Sequence, residues 1–306
     1  MKVLITGATG LVGRALTDLC HKDGISVHYL TTSKDKIEDT PNYKGFYWNT
    51  KTDELDEACF EGVETIIHLA GASIAQRWTP ENKKAIFESR ATTARLLYSA
   101  LSRKRSKNQP ISIKHYISAS AVGGYPSSFT KMYDESYPEY AKGFLGQVVE
   151  EWEKAALEFQ KLDIITSRVR TGIILDKDSG ALPKIMQPVK YGAGAPLGSG
   201  KQWQSWIHVD DMAGIYFHIL KNKLAGIYNG VAPQPVTNKK LTEVVADTMG
   251  KPLIISRVPK FALKLMLGDM AVIVLESQKV SALKIKTDGY EFKYPKIDKA
   301  IESLLD

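Results

Sequence analysis

The chain has 306 residues, 43% of them apolar and 25% charged, with a formal net charge of +7, which describes a globular protein and excludes disorder, collagen-like repeats and small stapled scaffolds. Two cysteines, Cys20 and Cys59, cannot form a disulfide framework, and neither lies at metal-site spacing, so a reducing cytoplasm and no metal are expected. The opening MKVLITGATGLVG lacks a signal peptide's basic and apolar regions, and no stretch reaches the ~18 apolar residues of a membrane span, so the mature chain should begin near Met1 without a membrane partner.

Residues 2–5 read as a strand, and after a glycine-rich turn Leu11, Ala15, Leu16 and Leu19 recur at helical spacing. Residues 27–30 and 63–69 read as further strands. Ala94, Leu97 and Leu101 mark a helix ending in the basic run Arg103, Lys104, Arg105 and Lys107. That run complements a helix dipole, and no nucleic-acid-binding motif accompanies it, so nucleic acid is not expected as a partner. Residues 113–118 form the next strand, Phe144, Val148, Trp152, Ala155 and Phe159 a long helix, and residues 163–169 another strand. This alternation predicts an α/β fold with a Rossmann-type, doubly wound parallel sheet.

Beyond residue 172 the alternation gives way to a loop-rich stretch at 180–200. A helix follows from the Val209-Asp210-Asp211 turn, capped by one of the two aspartates, then a strand at 226–229 and further helices. We expect an NADP-binding domain over 1–172, to which 207–230 return, and a smaller C-terminal α/β lobe for substrate from 173–206 and 231–306.

The turn Gly7-Ala8-Thr9-Gly10-Leu11-Val12-Gly13 stands between the first strand and the first helix, where a GxxGxxG spacing has a mechanical meaning. The first glycine allows the tight turn, the second admits a pyrophosphate, and the third lets helix and strand pack closely. The helix N-terminus then offers free N–H groups to the phosphates. The second strand ends Leu30-Thr31-Thr32-Ser33-Lys34, with no carboxylate before Asp35. Thr31, Thr32, Ser33 and Lys34 suit a ribose 2′-phosphate, so NADP(H) is preferred and NAD(H) remains possible. The hydroxyl residues also serve as turn formers.

The glycine turn, His68-Leu69-Ala70-Gly71, the run Ser118-Ala119-Ser120 and the segment Trp206-Ile207-His208-Val209-Asp210-Asp211 together resemble the extended short-chain dehydrogenase/reductase superfamily. Arg77-Trp78-Thr79, Ser89-Arg90, Trp152-Glu153, Arg170-Thr171-Gly172 and Leu275-Glu276-Ser277-Gln278 narrow the likeness to an atypical "epimerase family" subgroup with its own C-terminal domain. The resemblance implies a cofactor lined by Leu69, Ala70, Gly71 and Ser118, and a Ser120 that hydrogen-bonds the reacting oxygen. Ser118 and Ser120 would otherwise cap the next turn.

The superfamily's Tyr-x-x-x-Lys pair is missing. Of 14 tyrosines only Tyr47, four before Lys51, has the spacing, and it lies far from the helix where the pair belongs. That helix reads Gly143-Phe144-Leu145-Gly146-Gln147-Val148-Val149, and the preceding helix carries Ser89 where an asparagine is usual. Tyr125 is the nearest substitute acid or base, with Tyr137 and Tyr140 next; otherwise Tyr125 forms an aromatic wall. Arg77, Trp78, Arg170 and Trp206 are the expected substrate-binding residues, arginine as a bidentate donor and tryptophan as a stacking surface, although tryptophans are often simply packed. Two functions stay open: an NADP(H)-dependent oxidoreductase or epimerase acting on a small polar or sugar-like molecule, and a non-catalytic NADP(H)-binding or redox-sensing protein. Monomer and homodimer are both compatible.

Overall fold

The computed structural model describes residues 1–306. Its first half alternates β1 (Lys2–Thr6), α1 (Leu11–Lys22), β2 (Ser26–Thr31), β3 (Tyr43–Asn49), β4 (Thr65–His68), α2 (Pro80–Ser106), β5 (His115–Ala121), α3 (Phe144–Leu157) and β6 (Ile165–Thr171). The second half contributes α4 (Leu182–Lys190), α5 (Val209–Asn222), β7 (Gly226–Gly230), α6 (Asn238–Thr248), α7 (Lys260–Leu267) and α8 (Ile297–Leu305), with short helices and strands between.

The strands lie in the order β3-β2-β1-β4-β5-β6-β7, all paired in parallel, and two short antiparallel strands complete the sheet beside β3. This is the doubly wound order, reversing direction between β1 and β4, and ligands bind in the crevice outside the carboxyl ends of strands at such a point. Successive side chains of β1 enter opposite layers. Val3 and Ile5 pack with Leu16 of α1 and Ile219 of α5, while Leu4 packs with Leu97 of α2 and Ala156 of α3. Coverage of both faces explains why β1 is apolar without alternation. A separate core joins Leu182 and Val189 of α4, Leu241 and Val245 of α6, and Ile301 of α8 around Trp206.

The structure differs from the sequence reading in three places. Residues 43–49 form a strand of the sheet that the reading passed over. Residues 182–190, within the expected loop stretch, form α4, whose early Pro183 occupies a position where no intrahelical N–H bond is lost. His208, not Asp210 or Asp211, caps α5, its Nδ1 accepting from Asp210 N at 3.0 Å. Asp211 instead accepts from Tyr290 Oη, Lys293 N and Tyr294 N, tying the C-terminal segment to α5. The basic end of α2 is an exposed helix terminus that pairs with carboxylates: Arg103 and Lys104 with Glu57, and Arg105 with Asp163. No helix is long and apolar enough to cross a membrane.

Candidate functional site

A cleft of about 630 Å³ runs from the glycine turn, past the loop after β4 and the end of β5, to the C-terminal segment around residues 273–278. Gly7 takes φ +74°, a left-handed conformation, and a Cβ there would stand 3.1 Å from backbone atoms of Leu69 and Ala70. At Gly13 a Cβ would meet Gly7 O at 2.1 Å, so helix and turn close up only around glycine. Gly7, Gly10, Leu11, Val12 and Gly13 all line the cleft. Thr9 is exposed and outside the lining.

A buried relay fixes the opposite wall. Thr6 Oγ1 accepts from Leu69 N at 3.2 Å and Ala70 N at 3.1 Å, so its own proton goes to His68 Nδ1 at 2.7 Å. His68 is therefore the Nε2–H tautomer and donates to Thr93 Oγ1 at 3.0 Å, which donates in turn to Ser89 O and Arg90 O. Ser89 Oγ accepts from Ala72 N at 2.8 Å, a second tie between this loop and α2. Leu69 and Gly71 face the cleft; Ala70 does not line it.

Ser120 lines the cleft at the end of β5, and its Oγ donates to Glu153 Oε1 at 2.6 Å. With that proton committed, Ser120 presents lone pairs to the cleft, which suit a substrate hydroxyl better than a carbonyl oxygen. Glu153, 1% exposed, is the hub of this wall. Arg170 forks onto it through Nε at 2.8 Å and Nη2 at 3.0 Å, and Tyr140 Oη donates to Oε2 at 2.8 Å. Burial acts to raise the Glu153 pKa, yet the hydrogen bonds and charge of Arg170 hold it below the usual carboxylate range.

Several expected site residues lie elsewhere. Tyr125 is fully buried beneath Arg170, whose Cζ stands 4.6 Å from its ring, and its hydroxyl lies against Asp134 O and Asn229 Oδ1. It does not reach the cleft, and burial raises its pKa, so neither the catalytic nor the wall role holds. Arg170 spends its fork on Glu153 inside the protein and leaves none for substrate. Trp206 is buried in the C-terminal core with Nε1 donating to Gln234 O, and Trp78 packs edge-on against Phe144 with Nε1 on Ile74 O. Arg77 is exposed and outside the lining. Ser118 is buried, donates to Ala119 O and does not line the cleft. Thr31 ends β2 and Thr32, Ser33 and Lys34 follow it, outside the main cleft; Thr31 Oγ1 accepts from Ser33 N, and Lys34 Nζ lies 4.9 Å from the Tyr47 ring.

The cleft contains two charged side chains, Arg90 and Glu276. Glu276 Oε2 accepts from Gln278 Nε2 at 3.1 Å, no cation pairs with the carboxylate, and burial raises its pKa. Leu145 and Val149, four apart on α3, face the cleft as hydrocarbon.

The pattern of the NAD dependent epimerase/dehydratase family matches residues 3–230, and a domain of unknown function, DUF1731, matches residues 258–304. The chain belongs to the NAD dependent epimerase/dehydratase family. It is 37% identical to the chloroplastic SDR39U1 homolog of Arabidopsis thaliana, an epimerase family protein, over 100% of this chain and 87% of that one. It is 36% identical to epimerase family protein SAR0825 of Staphylococcus aureus over 99% and 98% of the two chains. Among solved structures, human epimerase family protein SDR39U1 (isoform 2) with NADPH superposes with a TM-score of 0.83 at 28% identity, covering 99% of each chain. The dTDP-glucose 4,6-dehydratase of Bacillus anthracis in complex with NAD, at 18% identity and a TM-score of 0.77, shares the fold.

Proposed function

We propose that this family member is an NADP(H)-dependent oxidoreductase or epimerase acting on a small polar, hydroxylated molecule, with Glu276 moving the proton. The observation that carries the reading is the continuous cleft from the glycine turn to Ser120, Gln204, Glu276 and Gln278. One end has the tight glycine backbone that admits a pyrophosphate at the start of α1, and the other has polar groups for a substrate. The NADPH in the structure of the human relative supports the same cofactor here, as does the absence of a carboxylate among residues 31–34. Thr31, Thr32, Ser33 and Lys34 are then the candidate 2′-phosphate contacts.

When bound, the nicotinamide supplies hydride exchange with a substrate carbon. Ser120 accepts a hydrogen bond from a second hydroxyl of the substrate, beside the one that reacts, and so orients the molecule. Glu276 carries or receives the proton at Oε1, the oxygen that Gln278 leaves free. Burial raises its pKa above the usual carboxylate range, the direction that favours a carboxyl group able to take up and give a proton. Tyr216, the tyrosine on the cleft wall, is 1% exposed, and burial raises its pKa and keeps it protonated.

Calorimetric titration should show NADPH binding at least about tenfold tighter than NADH, the scale of one charge-assisted hydrogen bond. Equal affinities would remove the 2′-phosphate assignment. Against a panel of nucleotide sugars and carbonyl compounds, Glu276→Gln should lower turnover by about 10²- to 10⁴-fold with NADPH affinity unchanged. Unaltered turnover would exclude Glu276. The apolar pair Leu145 and Val149 favours a second reading, an NADP(H)-binding protein without catalysis, which tight NADPH binding with no turnover across the panel would support.

A further inference from the structure

Arg90 is the one arginine that lines the cleft. It projects from α2 into the cleft, and no carboxylate lies within salt-bridge distance. Its Nη1 donates to Ile86 O at 3.0 Å and lies 3.4 Å from Ser89 Oγ, while Nε and Nη2 have no protein acceptor. The guanidinium stacks over Trp152 of α3, Cζ to ring centre 5.0 Å. It also flanks the loop after β4 so closely that a Cβ on Gly71 would stand 3.1 Å from Cζ and 3.3 Å from Nη2. Burial alone acts on it, lowering its pKa to about 10, so it stays charged at neutral pH without a counterion. Arg90 is half-buried, so its cation is partly desolvated and its free donors favour an anionic or oxygen-rich partner in the cleft.

Position decides what that is. The loop carrying Leu69 and Gly71 abuts the glycine turn at Gly7, so a dinucleotide whose pyrophosphate rests on that turn must pass this loop to reach Ser120. Arg90 is the cation on that path. Val149 precedes Trp152 by three residues on α3, and both line the same wall, so Arg90 reaches from α2 across a stretch of α3 that has no cation of its own.

We propose that Arg90 binds the nicotinamide-side ribose and phosphate of the bound dinucleotide through its Nε and Nη2 hydrogens, supplying from α2 a positive charge that the cleft-lining residues of α3 lack. The relay from Thr6 through His68 and Thr93 to the backbone of Ser89 and Arg90 makes the placement rigid, because the turn of α2 that carries Arg90 is anchored to the loop it flanks.

The inference rests on the nucleotide-binding reading and is tested by calorimetry on the full chain with three probes. NADPH and 2′-phospho-ADP-ribose both carry the second ribose and phosphate, whereas adenosine 2′,5′-bisphosphate does not. Arg90→Met should weaken the first two about tenfold to a hundredfold and leave the third unchanged. Arg90→Lys, which keeps a cation and is the milder change to packing, should recover part of the loss. Equal binding of all three probes by wild type and Arg90→Met overturns the role, as does an equal loss on all three in both variants. Wild type that binds none of the probes overturns the nucleotide reading itself.

Discussion

Glu153→Ala is expected to destabilise the fold by about 3–5 kcal/mol, the scale for removing one partner of a buried ion pair. Glu153 and Arg170 are 1% and 4% exposed, and the fork between them lies between α3 and β6. Without the carboxylate, Arg170 keeps its charge inside the protein with only aromatic rings about it, Tyr125 at 4.6 Å and Tyr140 at 5.4 Å. Tyr140 and Ser120 each lose an acceptor as well. Denaturant unfolding measures the loss. Glu153→Leu combined with Arg170→Met should cost less than the sum of the two single changes, because the charge of Arg170 is no longer left unpaired; the looser contact of Arg168 with Glu153 Oε2 at 3.5 Å is lost with or without the second change. Additive losses would mean that the pair is not coupled as its geometry requires. Ser120 would also regain its proton in Glu153→Ala, turning from an acceptor into a donor toward the cleft.

The same network shows what the sequence could and could not convey. Arg170 and Trp206 looked like substrate contacts because residue type announces chemistry, whereas only the fold reveals which face of a strand meets the interior. A signal for the network was nevertheless present. Glu153 interrupts the apolar face of α3 directly after Trp152, and a carboxylate in that position requires a buried cation. Arg168 and Arg170, two apart on β6 and hence on one face, were the available partners.

Glycine spacing and apolar runs exposed the first βαβ unit because a parallel sheet covered on both faces leaves little choice of residue. The strand β3 was hidden by its own packing: a Cβ on Gly45 would lie 2.5 Å from the Tyr29 ring, so glycine interrupts the β pattern where the ring passes. Glu276 and Gln278 stood out only as part of the family resemblance and not as cleft residues, because nothing near them in sequence marks the cleft. Their alternation in an extended segment, with Glu276 at φ −72° and ψ 158°, turns both toward it.

Acid should destabilise the protein well above the range in which its carboxylates titrate. His68 is fully buried with both ring nitrogens engaged, and burial lowers its pKa to about 4; His115, 2% exposed, is lowered to about 4 for the same reason. His115 Nε2 must donate to Ser167 Oγ, because that hydroxyl gives its proton to Leu224 O, and Nδ1 is left buried without a partner.

Each folded-state pKa lies below the unfolded value of about 6.5, so the unfolded chain binds the proton first. Stability is complete above pH 6.5 and falls as pH drops toward 4. Between pH 7 and pH 5 each histidine removes about 2 kcal/mol. Glu135 and Glu276, whose pKa values burial raises, oppose this trend near the carboxylate range, so the histidine signal is cleanest above pH 5. Unfolding measured from pH 7.5 to 5 should show uptake of at least about two protons, with His28 and His208 adding to the total because burial lowers their pKa values too, and His68→Asn should remove one of them. A flat profile, or an unchanged slope in His68→Asn, would contradict the assignment. Because His68 is the middle link between Thr6 and Thr93, its protonation also releases the loop at 69–71 from the turn of α2 that carries Arg90. In the folded protein that protonation comes only as pH nears 4, so NADPH affinity should hold between pH 7 and pH 5 and weaken toward pH 4.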